Sequence, residues 1–326
     1  VRRILIIQTA FLGDVILLTP LIQRCSERFP DARIDVLVKK GNESLLANHP
    51  QVGHVFTFDK QGGKWKNMLG LIFRFRKERY DLVLNAHRFF SSGFIACLSG
   101  AKEVIGFNKN PLSFFYTKSL PHEIGDGTHE ISRNLSLLET VPVFPVPRPT
   151  LFPSKADYEF VQPYQSAPYF CLAPASVWFT KALPQHKWVE LATGLMEKGT
   201  VYLLGAPSDT TLCSDISASV GSDRCVNLAG KLTLLQSAGL MAGAERCFVN
   251  DSAPLHMASA MNAPVTAFFC STVPEFGFGP VSEDSVIAEV NDLSCRPCGL
   301  HGYKQCPKGH FKCGEGMNVS ETNSMC

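Results

Sequence analysis

Arg3-Ile4-Leu5-Ile6-Ile7-Gln8 is the run on which the reading of the fold turns. Four consecutive branched apolar side chains between polar ends leave no face for water. That is how a strand covered on both sides reads, and such strands belong to parallel sheets. Working outward, Ala32 to Val38, His54 to Asp59, Tyr80 to Ala86 and Lys102 to Phe107 are further short β-rich runs, each separated from the next by a helical pattern. This alternation predicts a doubly wound α/β domain over residues 1–150.

Between Val141 and Pro168 the character changes, because Pro142, Pro145, Pro147, Pro149, Pro153 and Pro163 deny the chain any long regular element. A linker and domain boundary are expected there. Strand patterns then resume at Tyr169 to Ala173, Thr200 to Leu204, Arg246 to Asn250 and Pro264 to Phe269, with helices near 185–198, 209–219, 234–242 and 254–261. Thr233 is the expected cap of the third of these helices, and Gly199 the expected left-handed exit of the first. A second α/β domain over 151–290 and a Cys-rich tail over 291–326 complete the expected organisation of the 326 residues. Ligands of open α/β sheets bind beyond the carboxyl ends of the strands, so function is sought in the loops that follow them, at a cleft between two facing domains.

Composition narrows the chemistry. Thirty-one Lys and Arg against 29 Asp and Glu leave a net charge of +2, too little for bulk attraction to nucleic acid, so an anionic ligand must be held locally. No apolar run approaches the roughly 20 residues of a spanning helix, and the expected location is the cytoplasm, with peripheral membrane contact left open. Twelve cysteines in a chain this large are expected to be mostly free thiols. Neither a GxGxxG after Ile7 nor a GxxxxGK[ST] loop occurs, which weakens dehydrogenase and P-loop readings.

Three segments carry candidate chemistry. The loop after the first strand, Gln8-Thr9-Ala10-Phe11-Leu12-Gly13-Asp14-Val15, puts a carboxylate at the end of the sheet; Asp14 is either a reactive acid or a helix cap. Gly13 suggests close backbone approach or an unusual dihedral, and Thr19-Pro20 a helix start or kink. In Val249-Asn250-Asp251-Ser252-Ala253-Pro254-Leu255-His256, a strand ends in a polar turn that opens a helix, whose free amides and dipole suit phosphate oxygens. Asp251 could accept bonds from sugar hydroxyls and His256 donate one; the plainer alternative is a capping Asp251 or Ser252 and a packed His256. The third segment, Ala173 to Pro184, offers Thr180 and Lys181, the latter either a clamp for a departing diphosphate or a solvated cation.

Together these segments resemble the family 9 glycosyltransferases, from Ile4 to about Phe269, most specifically in Asp-Ser-Ala-Pro-Leu-His-Met-Ala at 251–258, where Ala253 stands in place of the usual glycine. Asn-Leu-Ala-Gly at 227–230, Leu-Leu-Gly-Ala at 203–206 and His129-Glu130 with Arg133 also look like family positions. The resemblance implies a GT-B-type fold of two facing Rossmann-like domains and an inverting, metal-independent transfer from a nucleotide sugar, ADP-heptose or similar, to a lipid-linked or oligosaccharide acceptor of lipopolysaccharide core type. It implies Asp14 as general base, with Thr9, Gly13, Thr180, Lys181, Asp251, Ser252, Ala253, Leu255 and His256 at the donor and Asp209 toward the ribose. Two rival readings are a nucleotide-sugar epimerase of the same architecture and a non-catalytic sugar-nucleotide binder.

Two features remain outside that scheme. Trp65 to Tyr80 carries Arg74, Arg76, Lys77 and Arg79 on a predicted helix rich in Met68, Leu69, Leu71, Ile72, Phe73 and Phe75, and could meet anionic lipid or simply divide into a core face and a solvated face. Cys295, Cys298, Cys306 and Cys313 could surround a structural zinc, form an oxidised pair or stay free, and the residues after Met317 read as a frayed end with Cys326.

Overall fold

In chain order the first unit runs β1 (Arg3–Gln8), α1 (Leu12–Ile16), α2 (Thr19–Arg28), β2 (Arg33–Lys39), β3 (Val52–Phe58), α3 (Lys64–Glu78), β4 (Leu82–Asn85), α4 (Phe90–Leu98), β5 (Glu103–Phe107), β6 (Lys118–Leu120) and α5 (Glu130–Leu135). Ile4, Leu5, Ile6 and Ile7 of β1 are all fully buried, as their unbroken apolarity requires. Every pairing is parallel and the strand order is β3-β2-β1-β4-β5-β6. On one face Leu5, Ile7, Leu37 and Val83 pack with Met68 and Phe75 of α3 and Ile95 of α4. The order reverses between β1 and β4, so the loops leaving those two strands diverge and open a crevice at their carboxyl ends.

The computed structural model describes residues 1–138 and 145–323, the last two as backbone only; Val141 and Pro142 of the expected linker and Cys326 lie outside the described residues. Two compact units result, Val1–Phe152 and Pro153–Cys326. Within the proline-rich segment Ser154 accepts the Asp157 amide while Asp157 reaches back to Ser154, a reciprocal cap that starts α6 (Lys155–Val161).

The second unit continues with β7 (Tyr169–Ala173), α7 (Gln185–Leu195), β8 (Thr200–Leu203), α8 (Thr210–Val220), β9 (Cys225–Asn227), α9 (Leu234–Ala242), β10 (Arg246–Asn250), α10 (Ala253–Ala260), β11 (Val265–Phe269), β12 (Ser285–Glu289), α11 (Lys312–Glu315) and α12 (Val319–Asn323). Its sheet is again parallel, in the order β12-β11-β10-β7-β8-β9, reversing between β7 and β10. Thr233 caps α9 as expected, its side chain accepting the Gln236 amide. Gly199 corrects its expectation: its φ is not left-handed, and glycine is needed because a Cβ would stand 2.4 Å from the Pro168 carbonyl oxygen.

A larger correction concerns the tail. The described residues after Met317, up to 323, are not frayed: they include α12, and Val319 joins Phe311, Cys313 and Met317 in the core formed by Phe248, Phe268 and the α7 side chains Trp188, Leu191 and Leu195. Ser320 adds a hydrogen bond to Glu190 of α7 at 3.0 Å. The apolar positions at 311, 313, 317 and 319, which the cysteine spacing overshadows in the sequence, carry the packing. Met317→Ala should therefore destabilise the protein by about 2–5 kcal/mol in a urea titration; a loose tail would give a change below about 0.5 kcal/mol.

Candidate functional site

In the first unit the chain leaves β1 through Thr9 and enters α1 at Leu12, putting Asp14 in the first helical turn and half-buried. Its Oδ2 accepts the Phe11 amide at 3.1 Å, so the capping reading is realised, by reaching back from inside the helix. Gly13 sits in α1 without a positive φ, which removes the unusual dihedral expected of it. Thr19 begins α2 with Pro20 in its first turn, so that pair marks a helix start.

Burial raises the Asp14 carboxyl from its ordinary value to about 6, and the negative charge of Glu130 adds to the rise; the Phe11 amide and the Arg88 guanidinium oppose it. Glu130, on α5, is buried and ionised, held at 2.7 Å by Arg133 Nε, with His122 at 3.4 Å. Arg133 in turn donates to the Glu123 and Thr128 carbonyls, fixing the approach to α5, whose first turn His129 caps. The loop after β4 comes to the same crevice: Thr9 Oγ1 lies 3.1 Å from His87 Nδ1, which is also 3.1 Å from Ser92 Oγ. Burial, Lys60 and Arg88 push His87 down to about 3, so it is neutral at physiological pH. Lys60 donates to the Thr9 carbonyl at 2.6 Å. Thr9 itself is fully buried, its hydroxyl engaged inward.

The second unit brings the other two segments together at its own reversal point. Asn250, the last residue of β10, accepts the Leu183 amide at 2.9 Å and donates to the Pro174 carbonyl at 2.9 Å, clasping both ends of the loop after β7. Trp188, buried in α7, donates its indole N–H to the Leu183 carbonyl at 3.1 Å. That loop carries Lys181, whose Nζ meets Asp251 Oδ2 at 2.7 Å with side chains only 16% and 7% exposed. Thr272 donates to the same oxygen at 2.6 Å. Lys181 is thus a paired, half-buried cation and not a solvated one, and Asp251 does not cap α10.

Ser252 makes no capping bond to α10; among the expected amide donors Pro254 has no N–H and Leu255 bonds the Ser252 carbonyl at 3.0 Å, leaving Ser252 and Ala253 as the candidates for an anion. His256 is buried within α10 beside the Phe278 ring. Asp209 accepts the Ala206 amide at 2.8 Å and so closes the turn that starts α8.

Sequence reading missed what holds Lys181 in place. Thr180, expected at the donor, is buried with its hydroxyl taking the Tyr303 amide at 2.8 Å and Ser271 Oγ at 3.0 Å. Gly302 lets this happen: its φ is +78°, and a Cβ there would lie 2.9 Å from Lys181 Cγ. Arg296 pairs with Glu289 and donates to the Thr272 carbonyl at 2.8 Å, while the Cys298 amide bonds the Ser271 carbonyl. The tail is therefore the outer wall of the Lys181 loop. Its cysteines gather on this wall: Cys295 Sγ is 3.9 Å from His310 Nε2, Cys298 Sγ donates to the Cys295 carbonyl, and Cys313 is buried. Among the described residues no group of three His, Cys, Asp or Glu is arranged to hold a metal, and every cysteine is free. Burial works against it, but amides of Phe311, Lys308, Gly309 and His310 hold the Cys306 thiol below its usual range.

The profile described as Glycosyltransferase family 9 (heptosyltransferase) matches residues 68–308. This chain belongs to that family. As a family 9 member it is a glycosyltransferase, and the epimerase and silent-binder readings are set aside. It is 26% identical over 319 residues to lipopolysaccharide heptosyltransferase 1 of Pseudomonas aeruginosa, covering 91% of this chain and 86% of that one. Its fold is that of E. coli ADP-heptose LPS heptosyltransferase II (TM-score 0.78, 21% identity, 99% and 98% of the two chains). E. coli heptosyltransferase WaaC with ADP is similar as well (TM-score 0.71, 20% identity, 87% and 92%). The matched span of the family 9 profile contains the Lys181 loop and the 251–258 turn; Asp14 precedes it.

Two stability measurements probe this site. Because the Asp14 carboxyl is raised from 3.8 to about 6, its contribution to stability is full below pH 3.8 and is lost as pH rises through 6. Ionised Asp14 then costs about 1–3 kcal/mol. Asp14→Asn should stabilise the protein by that amount at pH 8 and hardly at pH 4 in denaturant titrations. Lys181→Ala strands the Asp251 charge and should cost about 3 kcal/mol, much of it recovered in the Lys181→Ala/Asp251→Ala double variant.

Proposed function

We propose that this family 9 glycosyltransferase moves heptose from ADP-heptose onto a lipopolysaccharide-core or related lipid-linked or oligosaccharide acceptor, with inversion and with Asp14 as general base. The donor and acceptor are those named for the relatives that resemble the chain along most of its length. The observation that carries the base assignment is the Asp14 carboxyl itself: half-buried at the β1–β4 reversal point and raised to about 6, it is ionised at neutral pH yet basic enough to take a proton.

In the transfer the acceptor hydroxyl gives its proton to Asp14 as its oxygen bonds the anomeric carbon. The bond to the diphosphate breaks on the opposite face, and its electron pair leaves with ADP. Lys181 and the amides of Ser252 and Ala253 balance the charge that develops there, Asp251 fixes the lysine, and His256 is in the adjoining helix to contact the donor. Thr180 acts by positioning Lys181. Positive charge at the diphosphate comes from the protein, and the reading assigns the tail cysteines no part in the transfer. In this reading the enzyme works in the cytoplasm, at the inner face of the inner membrane, where a nucleotide sugar and a lipid-linked acceptor meet.

The test is transfer from ADP-heptose as a function of pH. kcat/KM should fall below an apparent pKa of about 6, Asp14→Asn should lose about a hundredfold or more in kcat, and ADP should still raise the melting temperature of that variant. Glu130→Gln removes a repelling charge from Asp14 and should move the acid limb to lower pH. Retained transfer in Asp14→Asn, or an acid limb indifferent to Glu130, contradicts the assignment.

A further inference from the structure

The core face of α3 is formed by Met68, Leu71, Ile72 and Phe75, yet its outer face is not simply polar. Trp65, Leu69 and Phe73 recur every four residues, share one side of the helix, and are 60%, 46% and 64% exposed. The apolar surface continues onto α4: the Trp65 and Phe94 rings meet edge to face at 6.3 Å, and Phe94 stacks with Phe90, itself 44% exposed, at 5.7 Å. No charge lies on α4. Five cations belong to α3, namely Lys64, Lys66, Arg74, Arg76 and Lys77, against the single carboxylate Glu78, which Arg3 and Arg33 already pair.

Beside this stripe lies a groove of about 550 Å³ whose polar lining includes His54, Thr57, Lys66, Asn67 and Arg74. Arg74 is held there by stacking on Phe56, 4.4 Å from the ring centroid, with His54 Nε2 at 3.4 Å. A chain whose total net charge is only +2 thus concentrates cations around one exposed aromatic strip. A second copy of the chain would bring five cations against five, whereas an anionic surface matches them, and the exposed rings Trp65, Phe73 and Phe90 stand beside those cations.

We propose that the α3–α4 face is a docking surface for an anionic lipid bilayer. Trp65, Leu69, Phe73 and Phe90 enter the headgroup–acyl boundary, where aromatic rings are favoured, and Lys66, Lys77 and Arg74 meet lipid phosphates, with the groove taking one headgroup. This gives the proposed lipid-linked acceptor a reason to be found on the membrane, and to that extent it rests on the reading above.

The experiment uses the intact chain, without donor or acceptor, so that its failure leaves the transferase reading standing. Protein is sedimented with vesicles of phosphatidylcholine alone or of phosphatidylcholine and phosphatidylglycerol in equal parts. Binding is expected to the anionic vesicles, to weaken with added salt, and to be slight with the neutral ones. Trp65→Ser/Phe73→Ser should lower the partition coefficient by about tenfold or more, and Lys66→Glu/Lys77→Glu by roughly fivefold or more per position. Both variants change exposed side chains, and an unaltered melting temperature verifies their folding. Equal binding to both vesicle types, undiminished binding by both variants, or a solution dimer that Phe73→Ser dissociates would overturn the proposal.

Discussion

The ion pair between Lys181 and Asp251 is the interaction on which the second unit's site depends. Two charged groups withdrawn from water at 2.7 Å are worth keeping only if their remaining bonds are satisfied, and the surroundings are built to do that. Thr272 bonds the carboxylate, Asn250 clasps the lysine's loop at both ends, and Trp188 anchors its exit. Arg296 and Tyr303 extend the support outward, so the C-terminal segment is continuous with the site's scaffold. In the proposed function, a cation fixed in this way next to the amides of a helix start would meet a diphosphate with little rearrangement.

The first unit solves a different electrostatic problem with the same sheet topology. Its reversal point also gathers two loops, but there the interior charge is arranged to oppose ionisation. Burial first, and then the negative charge that Glu130 keeps beside Arg133 and His122, make Asp14 a stronger base than a surface carboxylate. Stability is given up for that basicity, a common trade at reactive sites. Neutral His87, locked to Thr9 and Ser92, defines the crevice wall without adding charge.

Much of this was legible in the sequence because doubly covered strands announce themselves. β1, β7 and β10 have no polar interruption, and their limits follow directly from the apolar runs. By contrast β6, β9 and β12 escaped: the first two are three residues long, all three include exposed or partly exposed positions, and all three are outer strands, as is the longer β3, whose seven residues kept it legible. Asp14, Lys181 and Asp251 could be singled out because each follows a strand. His87, Arg88, Lys60 and Thr272 follow strands as well, but they stand in no recognisable motif and their importance arises from neighbours far away in the chain. Thr180 was recognised, but its inward contacts were not legible, because a hydroxyl beside a lysine reads the same whether it faces a ligand or the Tyr303 amide. Cysteine spacing masked the apolar pattern of residues 311–319, which is the tail's structural signal.

The most direct measurement is a crystal structure of the protein with ADP. The account predicts diphosphate oxygens within hydrogen-bond distance of Lys181 Nζ and of the Ser252 and Ala253 amides, with Asp251 still in contact with the lysine. A nucleotide whose diphosphate is bound elsewhere, with the Lys181–Asp251 pair untouched by it, would contradict the account.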